Sequence, residues 1–224
     1  MITVTKDTAA ALSNRPQLYP LCVDLDGALV RGDLLVESLF ILLKQNILYL
    51  FLLPYWLTKG RAAFKAEVAS RVMFDAAKLL YNQQFLTYLK QEHTQGQRLI
   101  LATGANDLQA HRVAEYLGIF DCVLASSASS NCSGEEKLKE ILVALASDKS
   151  QEVKFVYAGN ARSDLPVWRR AKKVILVDPE PGVKTLVEGE LEIDQLFESR
   201  SEQAWLRDYL RAIRLHQWFK NLLL

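Results

Sequence analysis

Cysteine is scarce: Cys22, Cys122 and Cys132 are the three in a chain of 224 residues, odd in number and without a C-x-x-C pair. That argues against a disulfide framework and a cysteine zinc site, and it agrees with a reducing compartment. Cys22 stands in an apolar run and reads as a small buried hydrophobe. An excess of charge is missing too, since 27 basic against 26 acidic side chains leave a net of +1. Before the C-terminus no stretch interleaves cations with stacking aromatics, so nucleic acid is not an expected partner. The N-terminal MITVTKDTAAALSNRPQLYP lacks a basic segment followed by an apolar one and reads as a polar lead-in rather than a signal peptide. Repeats and low-complexity tracts are absent. No uninterrupted run reaches the ~20 apolar residues of a membrane span.

What is present is a core-forming chain, 50% hydrophobic and long enough for one large domain or one domain with an insert. Residues 18–24, LYPLCVD, read as a buried strand that delivers Asp24 to its carboxyl end. From residue 98 onward strand and helix signals alternate: strands at 98–103, 122–125, 153–158 and 174–177, helices at 107–117, 135–145 and 165–170. Such alternation predicts right-handed βαβ units and a parallel sheet, with the ligand site beyond the carboxyl ends of its strands. Polar groups meet there from three strand ends: Asp24 with Asp26, Thr103, and Asn160 with Asp164.

The first two strands are separated by an insert of about sixty residues, far beyond an ordinary connection. It holds two apolar stretches, 34–43 and 47–57, and the second, ILYLFLLPYWL, carries no charge over eleven residues. Glu37, Lys44, Gln45 and Asn46 interrupt the longer run and Pro54 is expected to break its end. A helical cap packed on the sheet is the plainer reading, a membrane-contacting hairpin or partner surface the other. Residues 204–215, AWLRDYLRAIRL, have helical spacing, with apolar residues on one side and Arg207, Arg211 and Arg214 among them. HQWFKNLLL follows, and the whole segment suits a membrane interface.

Two carboxylates at i and i+2 on the turn after a strand can face one pocket. One attacks phosphorus while the other gives and takes a proton. Together they also suit magnesium, which prefers oxygen ligands. Gly27 lets the backbone turn closely. Thr103 and the amides beside it, including that of Gly104, can hold a phosphate oxygen. Lys137 can neutralise developing charge, with a solvated lysine beside Glu135 and Glu136 as the alternative. The segment 159–164 can complete a metal site.

This ordered set resembles the haloacid dehalogenase (HAD) superfamily over about residues 18–180. Asp24–Ala28 is similar to its D-x-D-G-[TV] motif, Thr103 to its second motif, Lys137 to its third, and Gly159–Asp164 to its G-D-x-x-x-D motif with one change. The resemblance implies an α/β fold, a HAD-like Rossmannoid parallel sheet with helices on both faces and an inserted helical cap like that of the phosphoserine-phosphatase branch. It implies Asp24 as nucleophile and magnesium ligand, Asp26 as acid/base with its main-chain carbonyl on the metal, and Thr103 with Lys137 on the phosphoryl group. Asn160 falls where a metal-binding Asp is usual, with Asp164 beside it in the metal set. For Glu37 two readings stand, a group facing substrate from the cap and a helix-surface glutamate. Ala28 and Asn160 depart from the pattern, and Asn160 is expected to weaken magnesium binding.

The segment 210–224 resembles the opening of UbiA-type membrane prenyltransferases through Arg214, Gln217, Trp218, Lys220 and Asn221. The expected organisation is a sheet core of residues 1–32 and 93–200, a cap over 33–92, and an amphipathic segment over 201–224 leading into a membrane domain. The expected function is a magnesium-dependent phosphomonoesterase acting through an aspartyl-phosphate, at the cytoplasmic face of the inner membrane. Its substrate would be a phosphorylated small molecule or a lipid-linked phosphate. A degenerate regulatory or scaffolding domain of the same prenyltransferase is the alternative.

Overall fold

The computed structural model describes residues 18–146 and 153–199. Its centre is a strand only three residues long, β1 (Leu21–Val23), with every residue buried. So short a strand holds because both neighbours pair with it in parallel, Leu21 with Leu99 on one side and with Val156 on the other. The remaining strands are β2 (Leu99–Asn106), β3 (Cys122–Ser126), β4 (Val156–Gly159), β5 (Lys173–Val177) and β6 (Gln195–Phe197), in the spatial order β3-β2-β1-β4-β5-β6. All five pairings are parallel. The chain leaves β1 toward β2 and crosses back to β4, so the order reverses around β1, where a ligand crevice opens in such sheets.

Successive side chains of a strand point to opposite faces, and two cores follow. Leu21, Val23, Leu99, Leu101 and Ala158 face one core with α4 (Gln83–Thr94) and α5 (Asp107–Leu117), through Phe85, Leu89 and Val113. Cys22, Ile100, Tyr157 and Leu176 face the other with α6 (Glu135–Leu145), α7 (Leu165–Arg170) and α8 (Val183–Glu188), through Ile141, Trp168 and Val187. Cys22 is the buried small hydrophobe that its setting implied.

The insert has its own small core. Leu42 of α1 (Leu34–Gln45), Trp56 of α2 (Leu53–Thr58), Val68 of α3 (Arg61–Ala69) and Val72 just beyond it pack together, with the partly buried Tyr49 of a 3₁₀ turn at Ile47–Phe51 against them. Asp33 caps α1, its Oδ1 accepting from the amides of Leu35 at 2.7 Å and Val36 at 3.2 Å. Pro54 does not end this region: it lies in the first turn of α2, where its missing N–H has no helical partner to lose. Within the 33–92 stretch, α4 buries Phe85, Leu86 and Leu89 in the main core and not in the cap. The cap is tied down by Gln109, whose side-chain amide donates to the Ser38 hydroxyl at 2.6 Å in a buried setting. Among the described residues no helix is long and apolar enough to cross a membrane. The helix expected over 204–215 and the prenyltransferase-like motif lie outside the described residues.

Candidate active site

Asp24 leaves the end of β1 with its amide donating to the Ala158 carbonyl at 2.9 Å, which fixes the start of the turn against β4. The turn closes on itself: the Gly27 amide donates to Val30 at 2.8 Å and to Gly32 at 3.0 Å. Gly27 has φ 77°, and a Cβ there would fall inside the Asn160 side chain. Glycine is needed on both counts. Asp26 reaches forward to α1, its Oδ1 accepting from the Leu34 amide at 3.0 Å.

Lys137 is no solvated lysine: its side chain is 3% exposed. Its ammonium lies 2.8 Å from the Tyr157 hydroxyl, 2.9 Å from Asp164 Oδ1 and 3.2 Å from Asp24 Oδ1. The first two contacts are hydrogen bonds and the third is an ion pair, so acceptors surround the ammonium closely. Burial pulls this ammonium toward neutrality, but Asp24 and Asp164 overcome it and hold Lys137 above the ordinary lysine range.

Asp164, placed in the metal set by the motif, has both carboxylate oxygens engaged within the protein. Oδ1 accepts from Lys137 and, at 2.7 Å, from the Tyr157 hydroxyl; Oδ2 accepts from the amides of Asn160 at 3.3 Å and Ala161 at 3.2 Å. A carboxylate offers about four lone-pair sites, and all are taken. Asp164 therefore positions Lys137 and the loop after β4. Gly159 makes room for it, since a Cβ there would lie 2.6 Å from Oδ2.

The two turn carboxylates are held differently. Burial raises Asp24 above the carboxylate range, with Lys137 opposing. Asp26 is pushed up to about 8 by burial and then by the neighbouring charge of Asp33. Near neutral pH Asp26 keeps its proton. A carboxyl whose folded pKa is raised adds stability below its unfolded value and loses it as pH rises through the folded one. The ligand-free chain should therefore lose a contribution on the order of a few kcal/mol between pH ~4 and ~8 through this group. Asp26→Asn should flatten that part of the melting-temperature profile, and identical profiles for the two chains would exclude the assignment.

Thr103 is fully buried in β2 with its hydroxyl accepting from the Ala105 amide at 3.0 Å. β2 runs on to Asn106, past the end expected at Thr103, with a register shift between Ala102 and Asn106. The Gly104 carbonyl accepts from Lys65 at 2.6 Å and from the Ser126 hydroxyl at 2.9 Å. Asn160 is buried, and its side-chain oxygen has no hydrogen-bond partner. Glu37 stays on α1, its carboxyl raised by burial and then by Asp33; it takes no part in the Asp24–Lys137–Asp164 cluster.

Two members of the site are invisible to motif reading. Tyr157 sits in β4 and its hydroxyl bridges Lys137 and Asp164; a tyrosine in an otherwise apolar strand needs such a partner, which was the available signal. Lys65 projects from α3 of the cap to Gly104 and, at 3.0 Å, to the Asn131 side chain. Burial lowers its ammonium while the charges of Asp26 and Asp33 oppose this. Nothing in AAFKAEVAS distinguishes it from a surface lysine.

Comparison with known proteins gives a consistent picture. A family model described as haloacid dehalogenase-like hydrolase matches residues 21–169. The uncharacterized protein y4nM of Sinorhizobium fredii is 33% identical over 209 residues, 92% of this chain, and the chain spans 38% of that protein's length. Among solved structures, a phosphoserine phosphatase in its apo form has a TM-score of 0.56 at 15% identity, covering 85% of this chain and 98% of that one. A HAD family hydrolase from Salmonella enterica serovar Typhi has a TM-score of 0.55 at 15% identity, covering 86% and 77%. A Bordetella pertussis Tohama I protein of unknown function reaches 0.60 at 14% identity, covering 80% and 98%. At these identities the structures establish the fold.

Proposed function

This chain belongs to the haloacid dehalogenase-like hydrolases, and on that premise we propose that it hydrolyses a phosphomonoester with Asp24 as nucleophile and Asp26 as acid and base. One observation carries the reading: Lys137, Asp24 and Asp164 form a buried cluster of ion pairs and hydrogen bonds at the carboxyl ends of β1 and β4, with the Asp26 carboxyl two residues beyond Asp24 on the same turn. Asp24 is bonded through Oδ1 to the Leu25 amide and to Lys137, which leaves Oδ2 to attack. Attack on phosphorus breaks the ester P–O bond, and Asp26 gives its proton to the departing oxygen. Asp26, now a carboxylate, takes a proton from water. That water attacks the aspartyl-phosphate, and the P–O bond to Asp24 breaks to release phosphate. Lys137 and Thr103 would hold the non-bridging oxygens through this sequence.

Magnesium fits the residues present. The unpartnered buried oxygen of Asn160 needs a donor or a cation, and Asp24 and the Asp26 main-chain carbonyl supply further hard oxygen ligands. When bound, the cation would offset charge on the phosphoryl oxygens. Among the described residues no three acidic, imidazole or thiolate side chains converge on one point, so its hold would rest partly on the neutral amide of Asn160. Asn160→Asp should tighten magnesium about tenfold or more by calorimetry; an unchanged affinity would remove Asn160 from the metal set.

The function is tested by incubating the full chain with an aryl phosphate and magnesium. Phosphate release that stops on chelation is expected. No release under any divalent cation would favour the second reading, a regulatory domain that has lost its metal, to which Asn160 itself points. The segment 210–224 and the greater length of the Sinorhizobium relative support placing this domain ahead of a UbiA-type membrane prenyltransferase, with a lipid-linked or small phosphorylated substrate, on the cytoplasmic side of the inner membrane.

A further inference from the structure

The cap carries an apolar face that nothing in the fold covers. Of the eleven residues from Ile47 to Leu57, seven are large hydrophobics exposed at the surface, with Leu48 62% and Phe51 76% exposed. They are not scattered: the 3₁₀ turn contributes no buried residue at all, and α2 buries Trp56 alone. Soluble monomers seldom present so continuous a patch unless something binds it.

The surroundings of the patch identify what binds. Between residues 43 and 73 the chain has five cations, Lys44, Lys59, Arg61, Lys65 and Arg71, against one acid, Glu67. The chain as a whole is balanced to +1, so this excess is local to the stretch around the patch. Lys44, Lys59, Arg61 and Arg71 are all exposed, and Glu67 neutralises part of it through Lys59 at 3.1 Å and Arg71 at 2.6 Å. A second copy docking face to face would set these cations against their own counterparts, because a two-fold interface is self-complementary. An apolar patch carrying tyrosine and rimmed by lysine and arginine matches instead a bilayer interface with anionic headgroups, where aromatic rings sit at headgroup depth and long basic side chains reach the phosphates.

We propose that the Ile47–Leu57 face of the cap seats on an anionic lipid surface, with the exposed leucines and Phe51 entering the acyl boundary and the flanking cations meeting the headgroups. The inference goes beyond the phosphatase reading and does not depend on it, since lipid binding is read without turnover. Flotation of the full chain with vesicles of phosphatidylcholine mixed with phosphatidylglycerol tests it, beside the double variant Leu48→Asp/Phe51→Asp. Both substitutions fall on exposed positions, so an unchanged melting temperature is expected to accompany them. The parent chain should float with the mixed vesicles, weakly with phosphatidylcholine alone, and less in high salt; the double variant should bind roughly a hundredfold more weakly. Equal binding by parent and variant would overturn the proposal by placing the lipid contact elsewhere in the chain. So would a lipid-free dimer of the parent that the double variant dissolves, seen by light scattering, because the face would then belong to a second copy.

Discussion

An Asp24→Asn chain should release phosphate at about 10⁻⁴ of the parent rate or below, while melting within a few degrees of it. The rate falls because an amide cannot form the acyl-phosphate, so the route through that intermediate is closed rather than slowed. The fold survives because Lys137 keeps Asp164 and Tyr157 as partners at 2.9 and 2.8 Å. Loss of Asp24 also removes a buried charge whose ionisation burial disfavours, so the ligand-free variant is expected to be no less stable at alkaline pH. Phosphate release and thermal melting on the same preparations separate the two effects. Turnover that persists in the asparagine variant would defeat the nucleophile assignment, and a collapse in melting temperature would make Asp24 structural first.

Lys137→Met should have the opposite balance, with the larger loss in stability. Methionine fills a similar volume but leaves Asp24 and Asp164 facing each other with no cation between them. Removing one partner of a buried ion pair costs about 3–5 kcal/mol, or roughly 10 °C in melting temperature for a domain of this size. Activity should vanish as well, yet stability is the diagnostic reading because it is measured without substrate or metal. Adding Asp164→Asn to Lys137→Met should recover part of the loss: the amide oxygen can still accept from Ala161, and a charge is gone. A single variant that melts like the parent, or a double variant that melts lower than the single, would show that the buried cation is not what holds these carboxylates.

How far the sequence disclosed this arrangement differs by element, for physical reasons. The helices at 107–117, 135–145 and 165–170 coincide with the observed ones because each shows its apolar stripe, and the first also has a clear stop, Gly118 in the left-handed conformation after α5. β6 and α8 escaped notice. β6 is an edge strand of three residues, two of them exposed, and so has little burial to pattern its sequence. Asp24, Thr103, Lys137 and Asp164 were found as an ordered series, but order along the chain says nothing of which atoms touch. That Asp164 turns both oxygens inward depends on Tyr157, seven residues earlier on β4, and on a glycine that leaves space. Lys65 was out of reach altogether, since its path to Gly104 exists only once α3 has packed against β2.

The closely surrounded ammonium of Lys137 has a consequence for where binding energy goes. With two hydrogen bonds and an ion pair already made, it meets an incoming phosphate chiefly by weakening one of them, so its gain with bound substrate is a small difference between similar interactions. In the proposed reaction that would change as Asp24 became phosphorylated. The carboxylate's charge would drain into the new bond, its attraction for the ammonium across 3.2 Å would fade, and Lys137 would be freer to meet the phosphoryl oxygens as they become most negative. A lysine that is a poor host for the ester and a good one for its transition state lowers the barrier without deepening the well before it.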